Sequence, residues 1–229
     1  LALTGGSNAT AATNYALPAS SNSANNSLTI NAKTVTLSAS KTYDASTSLT
    51  GYVTVGTGVG SQTLTYTGAT ANNANVATAN KYINAITLAD GTNGGVATNY
   101  QLPTLDAANA PVTINTATAT VAATKTYDGA TTLTKPQISI TGIGGAVVDF
   151  TLGTAAANDA NVATANKYVS LGTLALTGGS NATAASNYAL PASSNSANNS
   201  LTINAKTVTL SASKTYDAST SLTGYVTVG

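Results

Sequence analysis

The chain has 229 residues and almost no charge: eight Lys against seven Asp give a net charge of +1, and His, Cys, Met, Trp, Arg and Glu are all absent. Eight scattered Lys form no concentrated basic surface, which excludes nucleic-acid binding as a function. Because His, Cys and Glu are missing, we expect no enzyme and predict no catalytic residue, no cofactor and no metal site. No apolar stretch approaches about 18 residues, so no membrane-spanning segment is predicted.

Alternating polar and apolar residues predict an all-β chain. Hydrophobic residues make up 42% of the sequence and charged residues 7%, a combination that favours a folded chain over a disordered one. The stretch Thr34–Ser38 has the period of a half-buried strand. Further strands are predicted, in chain order, at Tyr52–Val55, Thr63–Tyr66, Tyr82–Leu88, Tyr100–Leu102 and Val112–Ile114. Gly, Asn and Asp clusters at 56–60 and 90–95 separate these strands as turns.

The sequence repeats itself on two scales. Residues 174–229 reproduce residues 1–56 with one difference, Thr13 against Ser186. A shorter, imperfect period lies inside that block. It is carried by KTYD at 41–44, 125–128 and 214–217, by NYxLP at 14–18, 99–103 and 187–191, by ANxANVATANKY at 71–82 and 157–168, and by TIN at 29–31, 113–115 and 202–204.

Two related units of about 86 residues therefore alternate along the chain. We call 33–115 the A-type repeat and 116–205 the B-type repeat. Residues 1–32 then form the C-terminal part of a preceding B-type repeat, and residues 206–229 form the N-terminal part of the next A-type repeat. We expect the chain to be a window on a longer array. Strand exchange between subunits explains the partial ends less well, because the equivalent of 57–87 would be missing.

The strand count of one repeat predicts its fold class. Six or seven short strands within about 86 residues are typical of an immunoglobulin-like β-sandwich, so we predict tandem β-sandwich domains arranged end to end. The alternative is a β-solenoid, which would show a period of about 20–30 residues; none is visible inside the repeat. The connection Asn31–Lys33 contains no Gly or Pro, so neighbouring domains should dock with restricted motion.

The recurring motifs resemble a known family. KTYDG at 125–129, the downstream NxxNVxTxNKY, the GGxNATAxNYxLP segment and the closing LTIN-AKTVT look like the YDG-type (MBG-like) repeats of large bacterial adhesins related to filamentous haemagglutinin. The resemblance extends over essentially the whole chain and implies secretion, surface display and a structural or adhesive role. It supplies no catalytic residues. The A-type repeat departs from the pattern at Ala45, where the motif has Gly, so that turn either avoids a Gly-only conformation or is slightly strained.

The reactive residue types in these motifs are interpreted as structural. We predict that Tyr43, Tyr127 and Tyr216 of KTYD fill one end of the core, and that the Asp after each of them forms an Asx turn. In NYxLP, the Tyr at 15, 100 and 188 should anchor a strand that the following Pro ends.

Three chemical alternatives stay open at this stage. A spontaneous isopeptide bond could join Lys41 or Lys81 to Asn99, although such chemistry needs a buried carboxyl group. Calcium could bind the three Asp of each repeat, although they are far apart in sequence and form no DxDxDG pattern. The Asp residues concerned are 44, 90 and 106 in the A-type repeat and 128, 149 and 159 in the B-type repeat. Thr-x-Thr pairs such as Thr34/Thr36 resemble ice-binding faces but fit the solvent side of a strand equally well.

The leading functional hypothesis is a structural one. We expect the chain to be part of a secreted or surface-displayed bacterial fibre or adhesin, acting as a stalk or matrix filament in adhesion or biofilm. Its partners would be neighbouring repeats or further copies of itself, and its location extracellular. The second hypothesis is a glycan- or matrix-binding module, for which Tyr52 and Tyr66 would have to lie exposed side by side in a groove.

Overall fold

The computed structural model of the chain describes residues 1–4, 12–18, 20, 24, 26–179 and 184–229. Within these ranges the fold is all-β, with no α-helix and with short 3-10 helices between strands. No helix of the described ranges is long and apolar enough to cross a membrane. The GGxNATA part of the family resemblance falls largely on residues 5–11 and 180–183, which lie outside the described residues.

The A-type repeat contains seven strands, and all six of the strands predicted from the alternation are found. Their bounds are β1 Lys33–Thr34, β2 Thr36–Thr42, β3 Val53–Gly56, β4 Leu64–Ala71, β5 Ile83–Asp90, β6 Tyr100–Gln101 and β7 Val112–Asn115. The predicted strand at Thr34–Ser38 is split into β1 and β2.

Strand β2 is the centre of the A-type repeat. It pairs antiparallel with β3 and parallel with β7, while β4 and β5 form an antiparallel hairpin and β1 pairs parallel with β6. Alternate residues of β2 are buried, so Leu37, Ala39 and Lys41 share the core face. A charged residue therefore occupies a position that the alternation assigns to the core.

The B-type repeat has nine strands in its described residues and the same central arrangement as the A-type repeat. Its strands are β8 Ala117–Thr118, β9 Thr120–Thr126, β10 Ile138–Thr141, β11 Val148–Thr151, β12 Ala156–Ala157, β13 Val169–Ser170, β14 Ala175–Gly179, β15 Tyr188–Ala189 and β16 Asn199–Asn204. Strand β9 lies between antiparallel β10 and parallel β16, as β2 lies between β3 and β7. Strand β15 pairs parallel with β8, as β6 pairs with β1.

The long hairpin of the A-type repeat is interrupted in the B-type repeat. Strand β11 pairs with β14 and β12 with β13, and two Gly-Thr turns separate these pairs. Gly153 and Gly172 have positive φ angles of 56° and 51°, which strand residues do not adopt. The Thr154 amide donates to the Thr173 hydroxyl at 3.0 Å and the Thr173 amide to the Thr154 hydroxyl at 3.1 Å. These reciprocal bonds replace the strand pairing that the turns interrupt.

Residues 206–229 contribute a last antiparallel pair. Strands β17 Leu210–Ala212 and β18 Val226–Val228 are paired as β2 and β3 are, but all their residues are exposed. The short helices are Ala12–Asn14, Ala97–Asn99, Lys135–Gln137, Ile143–Gly145 and Ala185–Asn187. Three of them, Ala12–Asn14, Ala97–Asn99 and Ala185–Asn187, end on the Asn of an NYxLP motif.

The core consists mainly of Ala, Val, Leu and Ile, with few aromatic residues. Leu49, Ile83, Val121 and Val169 are completely buried and belong to one cluster that extends through both repeats. Burial of such side chains is the main favourable term in folding, at about 1.5–3 kcal/mol for each large aliphatic residue.

The turn that follows β2 is strained at Ala45, which is the second of the two possibilities given for it above. Ala45 has a φ of 63°, Gly129 has a φ of 79° in the same place, and Ala218 has a φ of 60°. A side chain in this left-handed region costs roughly 1–2 kcal/mol. The A-type turn is therefore strained in a way that the B-type turn is not.

We expect Ala45→Gly to raise the free energy of unfolding by about 0.5–1 kcal/mol, because relief of the left-handed strain exceeds the extra backbone entropy of Gly in the unfolded chain. The matched change Gly129→Ala should lower it by a similar amount. A Cβ at Gly129 would meet no atom within 4 Å, so only backbone strain is tested. Urea unfolding followed by circular dichroism measures both variants, and shifts of the same sign would contradict this account.

Candidate functional site

The KTYD turn is built around a buried lysine. The Lys41 ammonium donates hydrogen bonds to the carbonyl oxygens of Ser46 at 2.9 Å and Ser48 at 2.8 Å. It also lies 2.6 Å from an Asp44 carboxylate oxygen, and the Lys41 side chain is only 1% exposed. Three oxygen partners match the three donors of an ammonium group, which is how its charge is compensated away from water.

The same arrangement recurs in the other two KTYD turns. Lys125 donates to the carbonyls of Ala130 and Thr132, both at 2.9 Å, and pairs with Asp128 at 2.7 Å. In the last turn, Lys214 bonds to the carbonyls of Ser219 and Ser221 and to Asp217. Lys41 and Lys125 are buried and Lys214 is half-buried, and none of these placements was predicted from the sequence.

The Asp of each turn also accepts a backbone hydrogen bond. An Asp44 oxygen accepts the Ser46 amide at 3.0 Å, and Asp128 accepts the Ala130 amide at the same distance. The predicted Asx turn is thus confirmed, and Asp217 repeats it with Ser219. Hydrogen bonding to the Lys125 ammonium, followed by the Ala130 amide, lowers the pKa of Asp128. Burial alone would raise the pKa of Asp44, but the bonds from Lys41 and Ser46 outweigh it and the pKa is lowered.

The tyrosine predictions are only partly correct. Among the KTYD tyrosines, Tyr43 is buried at 8% exposure, whereas Tyr127 is 38% and Tyr216 is 89% exposed, so the core assignment is wrong for these two. Tyr100 and Tyr188 of NYxLP are buried as predicted, whereas Tyr15 is exposed.

A second lysine organises the ANxANVATANKY loop. The Lys81 ammonium donates to the carbonyls of Val76 at 2.7 Å and Thr78 at 2.6 Å. An Asn73 side-chain oxygen accepts the Asn75 amide at 2.7 Å and the Thr78 hydroxyl at 3.0 Å, and Asn80 takes a positive φ of 53°. In the B-type repeat, Lys167 and Asp159 make the equivalent bonds. These bonds hold the loop in one conformation, in which the Asn75 side-chain oxygen and the Val76 amide face away from the loop.

These groups meet a residue more than a hundred positions away. The Val76 amide donates to the side-chain oxygen of Asn187 at 2.8 Å, and the Asn187 amide group donates to the Asn75 side-chain oxygen at 2.9 Å. Asn187 is 0% exposed. Val76 belongs to the A-type repeat and Asn187 to the B-type repeat, so this buried asparagine links the two. We call this contact the inter-repeat junction.

Two tyrosines complete the inter-repeat junction. The rings of Tyr43 and Tyr188 meet edge to face, with centroids 5.5 Å apart and planes at 82°. The Tyr188 hydroxyl accepts the Ile143 amide at 3.1 Å. A Cβ at Gly142 would come within 2.3 Å of the Tyr188 ring, so only Gly allows this approach. Burial, followed by the nearby Tyr188, raises the pKa of Tyr43, which keeps its hydroxyl neutral.

The residues considered for other chemistry lie elsewhere. The ammonium groups of Lys41 and Lys81 are bound by backbone carbonyls, with Asp44 in addition at Lys41, so neither is directed at Asn99 for an isopeptide bond. Among the described residues there is no group of three or more Asp that could hold a metal ion.

Tyr52 and Tyr66 do not form a shared aromatic groove. The Tyr66 hydroxyl accepts the Val53 amide at 3.0 Å and donates to the Leu49 carbonyl at 3.2 Å, which ties it into its own repeat. It lines a surface cavity of 330 Å³ of which Tyr52 is not part. Tyr52 is 47% exposed, with the Lys41 ammonium 5.7 Å from its ring centroid.

Comparison with known families identifies a domain that lies mainly in the second half of the chain. Residues 108–197 match the YDG domain family, so a YDG domain is present in this part of the chain. It extends from just before β7 to just after β15 and therefore contains Lys125, Asp128 and Asn187. Neither curated protein sequences nor solved structures gave a match.

Stability should fall as the KTYD carboxylates are protonated. Because the pKa of Asp128 is lowered in the folded chain, its stabilisation is fully present above the unfolded value of about 3.9 and is lost as the pH falls through the lower folded value. Thermal unfolding recorded between about pH 5 and pH 2 should show a falling Tm. Asp128→Asn should weaken this dependence while lowering Tm at pH 7, because Lys125 loses its carboxylate. An unchanged slope in the variant would contradict the assignment.

Removing the junction asparagine should destabilise the chain. Asn187→Ala leaves the Val76 amide without its acceptor, for an expected loss of about 1–3 kcal/mol and faster hydrogen exchange at Val76. The matched control is Asn99→Ala at the same motif position, where the side chain is exposed and within the described residues has no hydrogen bond; its effect should stay within about 0.5 kcal/mol. Equal effects of the two substitutions would show that the junction contributes nothing.

Proposed function

We propose that this chain is a structural repeat region of a secreted or surface-displayed bacterial fibre or adhesin, acting as a stalk or extracellular-matrix filament. In this proposal each repeat is a β-sandwich unit, and the units are arranged end to end. The role of the chain is to hold its neighbours at fixed spacing and orientation.

The observation that carries the proposal is the inter-repeat junction. Asn187 is completely buried, and both its oxygen and its amide group are bonded to the preceding repeat. Buried polar contacts of this kind have one acceptable geometry, because any rotation leaves an unpaired group in the interior. Such a contact supports a stalk that resists bending between repeats, which a flexible linker would not provide.

The composition supports the same proposal. The nearly uncharged chain has no large electrostatic repulsion between successive repeats. The reactive-looking Lys and Asp of KTYD are engaged in holding turns. The YDG domain at residues 108–197 is consistent with the YDG-type repeats that the motifs resemble.

A glycan- or matrix-binding module is the second candidate. Its support is the exposed ring of Tyr52, repeated in the exposed ring of Tyr225 at the equivalent position. Each of these rings has a lysine ammonium 5.7 Å from its centroid. An aromatic platform for a sugar usually needs a second stacking or hydrogen-bonding group, and Tyr66 is engaged internally. The stalk is therefore the better supported candidate.

Immunogold electron microscopy tests the stalk directly. An antibody raised against this chain should label intact, unpermeabilised source cells or the filaments shed from them. Labelled filaments should show an axial repeat of about 60–80 Å for each A–B pair, from roughly 3.4 Å per strand residue. Pre-immune serum is the control. Labelling that requires lysis of the cells, or a smooth fibre with a 4.7–4.8 Å axial spacing, would overturn the proposal.

A further inference from the structure

The residues that receive Asn187 and Tyr188 at the inter-repeat junction have counterparts at the far end of the B-type repeat. At the junction, Tyr43, Asn75 and Val76 come from the end of one repeat, and Ala117 and Ala119 from the start of the next. The inserted Asn187 and Tyr188 complete it. Ala119 is 0% exposed, and its amide donates to the Ala189 carbonyl at 2.9 Å, which fixes the inserted strand.

The second set surrounds an open surface cavity of 510 Å³. Its lining is mainly apolar, and five of its residues correspond by repeat position to residues named at the junction: Tyr127 to Tyr43, Asn161 to Asn75, Val162 to Val76, Lys206 to Ala117 and Val208 to Ala119. The lining consists of Tyr127, Asn161, Val162, Ala163, Ala205, Lys206 and Val208. Val208 is 55% exposed where its counterparts Val35 and Ala119 are 2% and 0% exposed.

We propose that this cavity is the seat of the Asn–Tyr segment of a further A-type repeat, the one that residues 206–229 begin. The inference rests on the proposed stalk function and names the contact by which the stalk continues. The occupant has the sequence of Val96–Pro103, and its asparagine accepts the Val162 amide as Asn187 accepts that of Val76.

The A-type repeat already presents this segment in the required form. Asn99 ends the short helix Ala97–Asn99, just as Asn187 ends Ala185–Asn187, and each is followed by a buried Tyr that begins a two-residue strand. The Asn99 side chain is exposed. The sequence of residues 206–229 is identical to that of 33–56, so the repeat they begin is of the A type.

The geometry identifies the occupant as the same repeat rather than a second chain. Three of the lining residues, Ala205, Lys206 and Val208, lie at the boundary and start of that repeat. Their counterparts Lys33–Thr34 pair in parallel with Tyr100–Gln101, and the Val35 amide donates to the Gln101 carbonyl at 3.0 Å. The added strand would therefore pair with Lys206 and Thr207 and cover Val208. In a second chain, Tyr100 would already be paired with that chain's own Lys33, so its strand could not also pair with Lys206.

The test extends the present chain after Gly229 by a second copy of residues 57–115. This addition completes the A-type repeat that residues 206–229 begin. Hydrogen exchange measured by NMR at Val162 should slow by about tenfold or more relative to the present chain, the factor that one buried hydrogen bond supplies. Val76 serves as the internal reference, because its amide already donates to Asn187.

Two variants of the extended chain make the result specific. Asn→Ala at the added copy of Asn99 should return Val162 to fast exchange, whereas Asn99→Ala in the original repeat should leave it slow. If Val162 exchanges equally fast in the extended and present chains, the proposal is overturned. Failure of the added segment to fold would also count against it, because the same sequence folds at 33–115. Slow exchange at Val162 without surface labelling of cells would separate this inference from the stalk proposal.

Discussion

A buried ammonium group is the constraint on which the rest of the repeat depends. An uncompensated charge in the interior costs many kcal/mol, so the backbone after β2 must bring oxygen atoms to Lys41. It does so by turning through a left-handed residue at Ala45 and presenting the carbonyls of Ser46 and Ser48. Asp44 supplies the counter-charge and at the same time accepts the amide that closes the turn. The strain at Ala45 follows from this requirement.

The lysine-centred turn and loop also explain how one repeat meets the next. The turn around Lys41 fixes Tyr43, which directly follows β2. The loop around Lys81 fixes Asn75 and Val76. Both use ammonium groups to gather carbonyls that would otherwise need water, so the loops are ordered without large apolar residues. A preformed polar surface of this kind accepts a single asparagine in one orientation. The contacts that fix the loop inside one repeat therefore also fix the orientation of the neighbouring repeat.

The strands could be predicted from the sequence, whereas the junction could not. Alternation is a local property, and all six strands that it predicted in the A-type repeat are found. Burial of Lys41 was missed because lysine is seldom buried and the pattern cannot reveal distant carbonyls. Tyr43 and Tyr127 occupy the same motif position but differ in exposure, since Tyr188 covers only the first. The position of Asn187 is occupied by Asn in all three NYxLP motifs. This recurrence could have indicated a role for the asparagine, but the motif was interpreted from its tyrosine alone.

The proposed B-to-A junction would be packed differently from the A-to-B junction that the structure contains. Ala119 is small and completely buried beside Tyr188, and Gly142 leaves room for that ring. The B-to-A side has Val208 and Lys206 at the positions of Ala119 and Ala117, and Thr57 at that of Gly142. Tyr100 bonds instead to the side chain of Gln62. All three residues are larger on the B-to-A side than their counterparts, and the tyrosine hydroxyl has a different partner there. The two junctions would therefore share the asparagine contact and differ in the volume around the tyrosine, so a repeat in the wrong order would overfill or underfill the space that receives it.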